Sequence, residues 1–192
     1  MEGKSEVVTD AQLICKVGDD DQAAFTILVH RYLSCLIRFS ARYTYSISCS
    51  EDIVQESFLR VWNHANSWCA KKGTVKSWLF KIVYNLTMDF LRKQQLLRTH
   101  QESLNDELRV TNGPEENLLD AEQKRQVHQA LSNLPERQRT ALTLFLVNGL
   151  SGSEVASVLE LTVEASDSLL ARARRNLKKI IQKEPLMKRT VI

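Results

Sequence analysis

The stretch EDIVQESFLRVW, residues 51–62, decides the fold, because its apolar residues recur at the spacing of an α-helix. One side of that helix is apolar and predicts a buried face formed by Ile53, Val54, Phe58 and Val61. The opposite side, called the acidic face below, consists of Asp52, Gln55, Glu56 and Leu59. The preceding Ser48 and Glu51 match a capping box, which predicts that the helix begins there.

The composition around this stretch is that of a folded globular protein. The chain has 192 residues, of which 43% are hydrophobic and 26% are charged, a balance that argues against disorder. No apolar run approaches the ~18 residues of a membrane span, and the first ten residues lack the basic-then-apolar order of a signal peptide. We therefore expect a cytoplasmic protein that does not insert into a membrane.

The cysteines carry no metal or disulfide signature. They form no C-x-x-C pair, and no histidine lies at zinc-ligand spacing from them. The four positions are Cys15, Cys35, Cys49 and Cys69. Because a cytosolic compartment keeps thiols reduced, we predict free cysteines, no metal site and no cofactor.

Scarce glycine and proline and the short β-branched runs predict an all-α chain. Helices are expected over about 9–17, 21–43, 51–62, 77–97, 118–131, 135–149, 151–160 and 163–183. The last but one opens with a second capping box, Ser151 and Glu154. Residues 98–117 are polar and acidic and contain Asn-Gly-Pro, which indicates a linker. We predict two small helical domains, residues 1–97 and 118–192, joined by that linker.

The last two predicted helices have the outline of a helix-turn-helix. On a helical wheel, five residues of the second helix share a predicted buried side: Val163, Leu170, Ala173, Leu177 and Ile181. The opposite stripe combines small residues, which allow approach to base edges, with cations that reach phosphates. It comprises Ala165, Ser168, Arg172, Arg175 and Lys179. The alternative is a solvated basic face on an ordinary helical hairpin.

The helix over 77–97 is preceded by a loop rich in aromatic and basic residues: Trp68, Lys71, Lys72 and Lys76. Its own apolar face comprises Leu79, Val83, Leu86 and Phe90, and its polar side comprises Lys81, Asn85 and Arg92, with Trp78 and Asp89 at the border. Rings and cations side by side suit single-stranded nucleic acid, because bases stack on rings and cations follow the backbone. A core role is favoured for Trp62, and both roles stay open for Trp78.

The acidic face would repel a polyanion, so it indicates a protein partner. At this point three stretches carry a family resemblance: EDIVQESFLRVW (51–62), SWLFKIVYNLTMDFLRK (77–93), and LPERQRTALTLFLVNGLSGSEVASVLEL (134–161) with LLARARRNLKK (169–179). In this order they resemble bacterial RNA polymerase sigma factors of the extracytoplasmic-function (ECF) group. The resemblance covers about residues 20–97 and 118–183. It implies two helical domains that direct core polymerase to promoters and aid promoter melting, without a catalytic site.

The resemblance also implies roles for individual residues. Asp52, Gln55 and Glu56, with Leu59, would dock on the clamp coiled coil of the polymerase, whose flap is a second contact. Single-stranded −10 DNA would meet Trp68, Lys71, Lys76, Trp78, Lys81, Asn85, Asp89 and Arg92. Duplex −35 DNA would meet Ser153, Ala165, Asp167, Ser168, Ala171, Arg172, Arg175 and Lys179. An anti-sigma factor, typically membrane-linked, would cover the polymerase-binding surfaces until a signal arrives.

The chain departs from the family pattern in the helix-turn-helix. Glu160 replaces the usual turn glycine, and residues 164–169 read EASDSL where GTVKSR is common. Asp167 therefore stands at the place of an expected cation. Its carboxylate would either accept a hydrogen bond from a cytosine amino group or weaken phosphate contact.

Two other functions compete with the sigma-factor hypothesis. A stand-alone helix-turn-helix regulator would need no acidic face and would bind duplex operators tightly by itself, with Kd of about 10⁻⁸ M or below. An enzyme would use Asp52, Glu56 and His64 as a metal or acid–base site, since the two carboxylates lie one helical turn apart. Against the enzyme, both carboxylates are predicted to face solvent, where a desolvated pocket is hard to build.

Overall fold

The computed structural model describes residues 8–100 and 130–183, with side chains for residues 8–97 and 130–182. These residues form two compact units, one containing residues 8–100 and the other residues 130–183. Every regular element in the two described ranges is helical, which confirms the all-α prediction. Of the predicted linker, residues 101–117 lie outside the described residues, as do residues 118–129 of the helix that was expected to follow it.

The first unit contains four α-helices: α1 (Asp10–Gly18), α2 (Gln22–Thr44), α3 (Ile47–His64) and α4 (Val75–His100). Two single 3₁₀ turns, Ala65–Ser67 and Ala70–Lys72, connect α3 to α4. The three long helices pack on one another, and α1 packs against α2 and the first 3₁₀ turn. The stretch EDIVQESFLRVW therefore lies in α3, which packs against both α2 and α4.

The predicted capping box at Ser48 is wrong, because α3 begins earlier, at Ile47. Its N-cap is Ser46, whose hydroxyl accepts a hydrogen bond from the backbone N–H of Cys49 at 3.3 Å. The reason lies in the tight corner between α2 and α3. Ser50 is fully buried, and its hydroxyl bonds to the Ser46 carbonyl at 2.7 Å, so these residues are already helical.

Edge-to-face aromatic pairs fill the core of the first unit. The Phe39 ring lies 5.3 Å from that of Phe80 and so joins α2 to α4. At the other end of α2, the Phe25 ring lies 5.1 Å from that of Trp62, which supports the core role predicted for this tryptophan. Between the helices, the hydroxyls of Ser40 and Thr87 share a buried hydrogen bond of 3.1 Å.

The short helix α1 is attached to the unit at both ends. At its start the Asp10 carboxylate accepts hydrogen bonds from Arg31 and Tyr32 of α2, and burial together with that bond raises the pKa of the tyrosine. At its end the Asn66 side-chain amide donates to the Gly18 carbonyl at 3.0 Å. The helix is thus an integral part of the first unit.

The second unit contains α5 (Glu136–Leu142), α6 (Gly152–Leu159) and α7 (Val163–Lys183). A single π-helical turn, Thr143–Val147, extends α5, so the helix predicted over 135–149 changes its hydrogen bonding partway. The predicted capping box is confirmed: the Ser151 hydroxyl accepts from the Glu154 N–H, and the glutamate accepts from the Ser151 N–H at 2.7 Å. Both α5 and α6 pack against α7.

The buried side of α7 differs from its prediction at one end. Leu170 and Ala173 are buried and Leu177 and Ile181 are half-buried, as expected, but Val163 is 47% exposed. Val163 lies in the first turn, where it is left open to solvent. The buried position near that end is instead Ser166, whose hydroxyl donates to the Gly152 carbonyl of α6 at 3.0 Å.

Candidate functional site

The acidic face lies on the outer side of α3, as predicted. Asp52, Gln55 and Glu56 are exposed, and Leu59 is 58% exposed. The predicted inner residues Ile53, Val54, Phe58 and Val61 are all buried. Arg60 donates to the Glu56 carboxylate at 2.9 Å, but an exposed pair of this spacing contributes only about 0.3–0.5 kcal/mol. The face therefore remains available to a partner at little energetic cost.

An open groove of about 420 Å³ runs between α3 and the C-terminal half of α4. Its α3 wall includes Asp52, Glu56 and Arg60, and its α4 wall includes Leu86, Asp89, Phe90, Arg92, Lys93 and Leu96. Arg92 donates to the Asp89 carboxylate at 2.8 Å. The structure thus brings Asp89 and Arg92, which were predicted to contact −10 DNA, into the same groove as two residues of the acidic face.

Two residues of this groove were missed by the sequence reasoning, Lys93 and Leu96. Leu96 is 63% exposed. It continues the three- and four-residue spacing along α4 that runs through Asn85, Asp89 and Arg92. That spacing is the signal that could have found it, because residues three and four apart share one side of a helix.

All candidate −10 residues of α4 except Lys76 form one continuous row, called the α4 stripe below: Trp78, Lys81, Asn85, Asp89 and Arg92. At about 1.5 Å per residue the stripe is roughly 21 Å long. Its first two members are half-buried and the other three are exposed. Such a graded row allows ring stacking at one end and polar contact at the other.

The loop before α4 supplies the remaining −10 candidates. Lys71 is exposed in the second 3₁₀ turn, and Trp68 is half-buried. Within the described residues the Trp68 indole N–H is buried without an acceptor. Lys76 was predicted to lie in the loop, but it belongs to the first turn of α4, because that helix begins at Val75. Burial of Val75 and Ser77 against the unit draws those first residues into the helix.

The metal and acid–base hypothesis finds no support in this geometry. Asp52 and Glu56 are exposed on the groove wall, and His64 is exposed at the end of the same helix. Among residues 8–100 and 130–183, no three His, Cys, Asp or Glu side chains come together as a metal site would require. The four cysteines are free. In the same ranges, no helix has the length and apolar character of a membrane span.

In the second unit, α6 and α7 form the predicted helix-turn-helix. The turn begins at Glu160, whose backbone has φ of 54° in the left-handed region and whose N–H donates to the Ala156 carbonyl. The Thr162 hydroxyl then accepts from the Ala165 N–H at 3.2 Å and caps the second helix. Glycine adopts the left-handed conformation without a Cβ penalty, so this glutamate is held there by the flanking helices.

The outer side of α7 presents the predicted −35 residues. Asp167, Ser168, Ala171, Arg172, Arg175 and Lys179 are exposed, Ala165 is half-buried, and Ser153 is exposed at the start of α6. Arg174 differs from its neighbours, since its guanidinium lies 4.6 Å from the centre of the Phe145 ring and so joins α7 to the π-helical turn. Next to that ring, Leu146 is 56% exposed, an apolar surface that helical periodicity did not predict.

These two units match two known families. The family model described as Sigma-70 region 2 matches residues 28–96, and the one described as Sigma-70, region 4 matches residues 124–177. The ECF RNA polymerase sigma-E factor of Haemophilus influenzae is 31% identical over 192 residues, which cover 95% of this chain and all of that protein. The chain belongs to the ECF sigma factors. It is therefore an alternative sigma factor of RNA polymerase.

Other comparisons agree with this membership. The ECF RNA polymerase sigma-E factor of Escherichia coli K12 is 29% identical over 194 residues, with 96% of this chain and all of the relative covered. Two solved structures share the fold at 23% identity. One is CnrH in complex with the cytosolic domain of CnrY, with a TM-score of 0.67 and coverage of 91% of this chain and 98% of that chain. The other is RpoE in complex with the anti-sigma factor NepR from Bartonella quintana, with a TM-score of 0.69 and coverage of 82% of this chain and 96% of that chain.

The family matches divide the candidate residues of this ECF sigma factor into two groups. The acidic face, the loop and the α4 stripe all lie within the region 2 match, and the −35 candidates, apart from Lys179, lie within the region 4 match. Helix α1 lies outside both matches, although its side chains belong to the core of the first unit.

Proposed function

We propose that this ECF sigma factor binds core RNA polymerase through the acidic face of α3, captures the opened −10 strand with α4 and its preceding loop, and reads the −35 duplex with α7. The observation that carries the proposal is the presence of two unlike surfaces on the first unit, which meet at the groove between α3 and α4. One is the exposed acidic face with its leucine, and the other is the α4 stripe, which combines an aromatic ring, an amide, two cations and a carboxylate. Surfaces of such different character suit two different partners.

The polymerase contact assigned to the acidic face rests on exposure and charge. Asp52 and Glu56 would meet basic groups of the clamp coiled coil, and Leu59 would enter an apolar site on it. Opposite charges steer association and fix its register, whereas burial of an apolar side chain contributes affinity. The groove beside the face extends the contact to Lys93 and Leu96 of α4, which the −10 assignment does not use. The polymerase flap is assigned to the second unit by family resemblance.

The −10 contact is assigned to the α4 stripe because its side chains can both stack on and hydrogen-bond to the bases of an unstacked strand. Trp78 offers a ring on which a base can stack, and Asn85 offers an amide with both a donor and an acceptor. Capture of unpaired bases shifts the equilibrium towards the open duplex, which is how a protein without a catalytic site aids promoter melting. Lys71 and Lys76 would follow the phosphates nearby.

The −35 contact is assigned to α7 because it is the second helix of the helix-turn-helix, 21 residues long, with small residues first and cations later. Residues Ala165, Ser168 and Ala171 allow close approach to base edges in the major groove. The exposed Arg172 and Arg175 then lie where phosphates flank that groove. A stand-alone regulator would share this helix, but it would have no use for the acidic face.

We also infer control by an anti-sigma factor, because the RpoE structure of similar fold is a complex with the anti-sigma factor NepR. The inhibitor would cover the acidic face and its groove, so that polymerase is excluded while it is bound. Membrane linkage of the inhibitor and a cytoplasmic location of this chain are expected from the family resemblance.

Run-off transcription with purified core polymerase and fragmented genomic DNA tests the proposed function. The expected result is a set of transcripts that depend on the added protein and begin downstream of a shared two-part sequence. A parallel binding assay measures the affinity of the free protein for the same duplexes. Absence of specific transcripts, together with duplex binding by the free protein at Kd of about 10⁻⁸ M, would replace this proposal by the stand-alone regulator.

A further inference from the structure

Two carboxylates lie near the start of α7, and their surroundings differ. Glu164 is engaged locally, since its own backbone N–H and the Thr162 hydroxyl lower the pKa of its carboxyl group. Asp167, one turn later, is exposed. In the described part of the chain it makes no hydrogen bond and no ion pair. Water hydrates this carboxylate in the free protein, so a DNA surface that displaces the water has to supply a hydrogen-bond donor in its place.

This carboxylate lies close to Gly152 of α6. A Cβ atom at Gly152 would be 2.9 Å from Oδ1 of Asp167, so the side chain lies at the contact between α6 and α7. The adjacent Ser166 fixes the register of the two helices through its bond to the Gly152 carbonyl. Asp167 therefore lies near the start of α7, where that helix contacts α6, and the small residues Ser168 and Ala171 are exposed beside it.

The four bases differ in what they offer a carboxylate in the major groove. Guanine presents only acceptors there, and thymine presents an acceptor and a methyl group. Neither base can donate a hydrogen bond to a carboxylate. Adenine has an amino group, but its N7 acceptor lies next to that group and repels an anion. Cytosine presents its N4 amino group beside an apolar C5–H, and it is the base that Asp and Glu side chains read.

We propose that Asp167 is a specificity-determining residue of the −35 contact, with its carboxylate accepting a hydrogen bond from the N4 amino group of one cytosine. This inference rests on the proposed function, in which α7 reads the −35 duplex. The repulsion between the carboxylate and DNA phosphates is offset by Arg172 and Arg175, which lie further along the same helix. An aspartate at position 167, where the family pattern has a cation, thus lowers the general affinity for DNA and adds the recognition of one base pair.

The test is a selection of promoters from a library in which the −35 element is randomised and the −10 element is fixed. Holoenzyme made with the wild-type chain should favour cytosine at one position by about tenfold. Asp167→Asn should lose that preference or exchange it for adenine, since an amide pairs with adenine N6 and N7. Glu164→Gln is the matched control and should leave the preference unchanged.

Three outcomes would overturn the inference. They are identical base preferences for wild type and Asp167→Asn, a change in affinity that is uniform over all library sequences, or the same loss of preference in Glu164→Gln. Thermal unfolding of each variant verifies that the second unit is folded. Failure of the proposed function is a separate result: wild-type holoenzyme would then select no −35 sequence at all.

Discussion

Truncation of Leu59 gives a quantitative test of the acidic face. In the free protein this side chain is 58% exposed, so Leu59→Ala removes little buried surface and should lower the free energy of unfolding by less than about 1 kcal/mol. In the complex with polymerase the exposed part would become buried. Full burial of a leucine contributes about 1.5–3 kcal/mol, and the part that alanine cannot replace corresponds to roughly 1 kcal/mol of binding free energy.

A loss of this size weakens binding by about fivefold, since 1.4 kcal/mol corresponds to tenfold in Kd. The measurement is the affinity of labelled protein for core polymerase by fluorescence anisotropy, at two or more salt concentrations. The Leu59→Ala effect should persist at high salt, because burial of apolar surface is not screened as charge pairing is.

The matched control is Ile47→Ala on the same helix. Ile47 is similarly exposed, at 47%, but it lies at the start of α3 and outside the acidic face. Its truncation should leave the polymerase affinity unchanged. Equal Kd values for wild type and Leu59→Ala, or equal weakening by both truncations, would refute the docking role of this leucine.

Three further predictions follow from surfaces described above. Asp52→Ala combined with Glu56→Ala should abolish capture of core polymerase in a pull-down without lowering the unfolding temperature, and undiminished capture would contradict the polymerase assignment. Asn85→Ala should slow promoter opening, followed by permanganate reactivity of unstacked thymines, more than it weakens polymerase binding; unchanged opening would exclude the −10 role. Glu160→Gly should stabilise the second unit by about 1 kcal/mol in calorimetry, whereas Glu160→Ala, which keeps the Cβ, should give no gain.

The acidic face could be predicted from the sequence because a single helix carries it. Once Ile53, Val54, Phe58 and Val61 were assigned to the core, the geometry of an α-helix placed Asp52 and Leu59 outside. The same holds for the basic side of α7. Local hydrogen bonds were predictable where no tertiary contact competes with them, as at the Ser151 capping box.

Errors arose where tertiary packing decided between similar local patterns. Ser46, Ser48 and Ser50 all lie near the start of α3. The Ser46 hydroxyl accepts from the Cys49 N–H and is the cap, whereas Ser50 is buried and bonded to Thr44 of α2. Likewise, a hydrophobicity pattern assigns Val163 to the core and Ser166 to solvent. Ser166 is buried where α7 packs on α6, and its hydroxyl bonds to the Gly152 carbonyl. That partner belongs to another helix, so the sequence of α7 alone gives no sign of it.

The groove between α3 and α4 also lay beyond sequence reasoning, since its two walls come from segments some thirty residues apart. The sequence yields the members of each wall separately. It does not show that Asp89 and Arg92 face the same groove as Asp52 and Glu56, which follows only from how the two helices pack.

Helix α1 determines how much of the chain constitutes a foldable fragment. Nine residues are too few for a helix to persist alone in water, yet Leu13, Ile14 and Val17 are each only 1% exposed. A fragment that starts where the region 2 match starts, at residue 28, would discard this helix together with the first six residues of α2. Its loss would expose an apolar strip on the remaining helices. A stably folded fragment of the first unit therefore has to run from Thr9 to the end of α4.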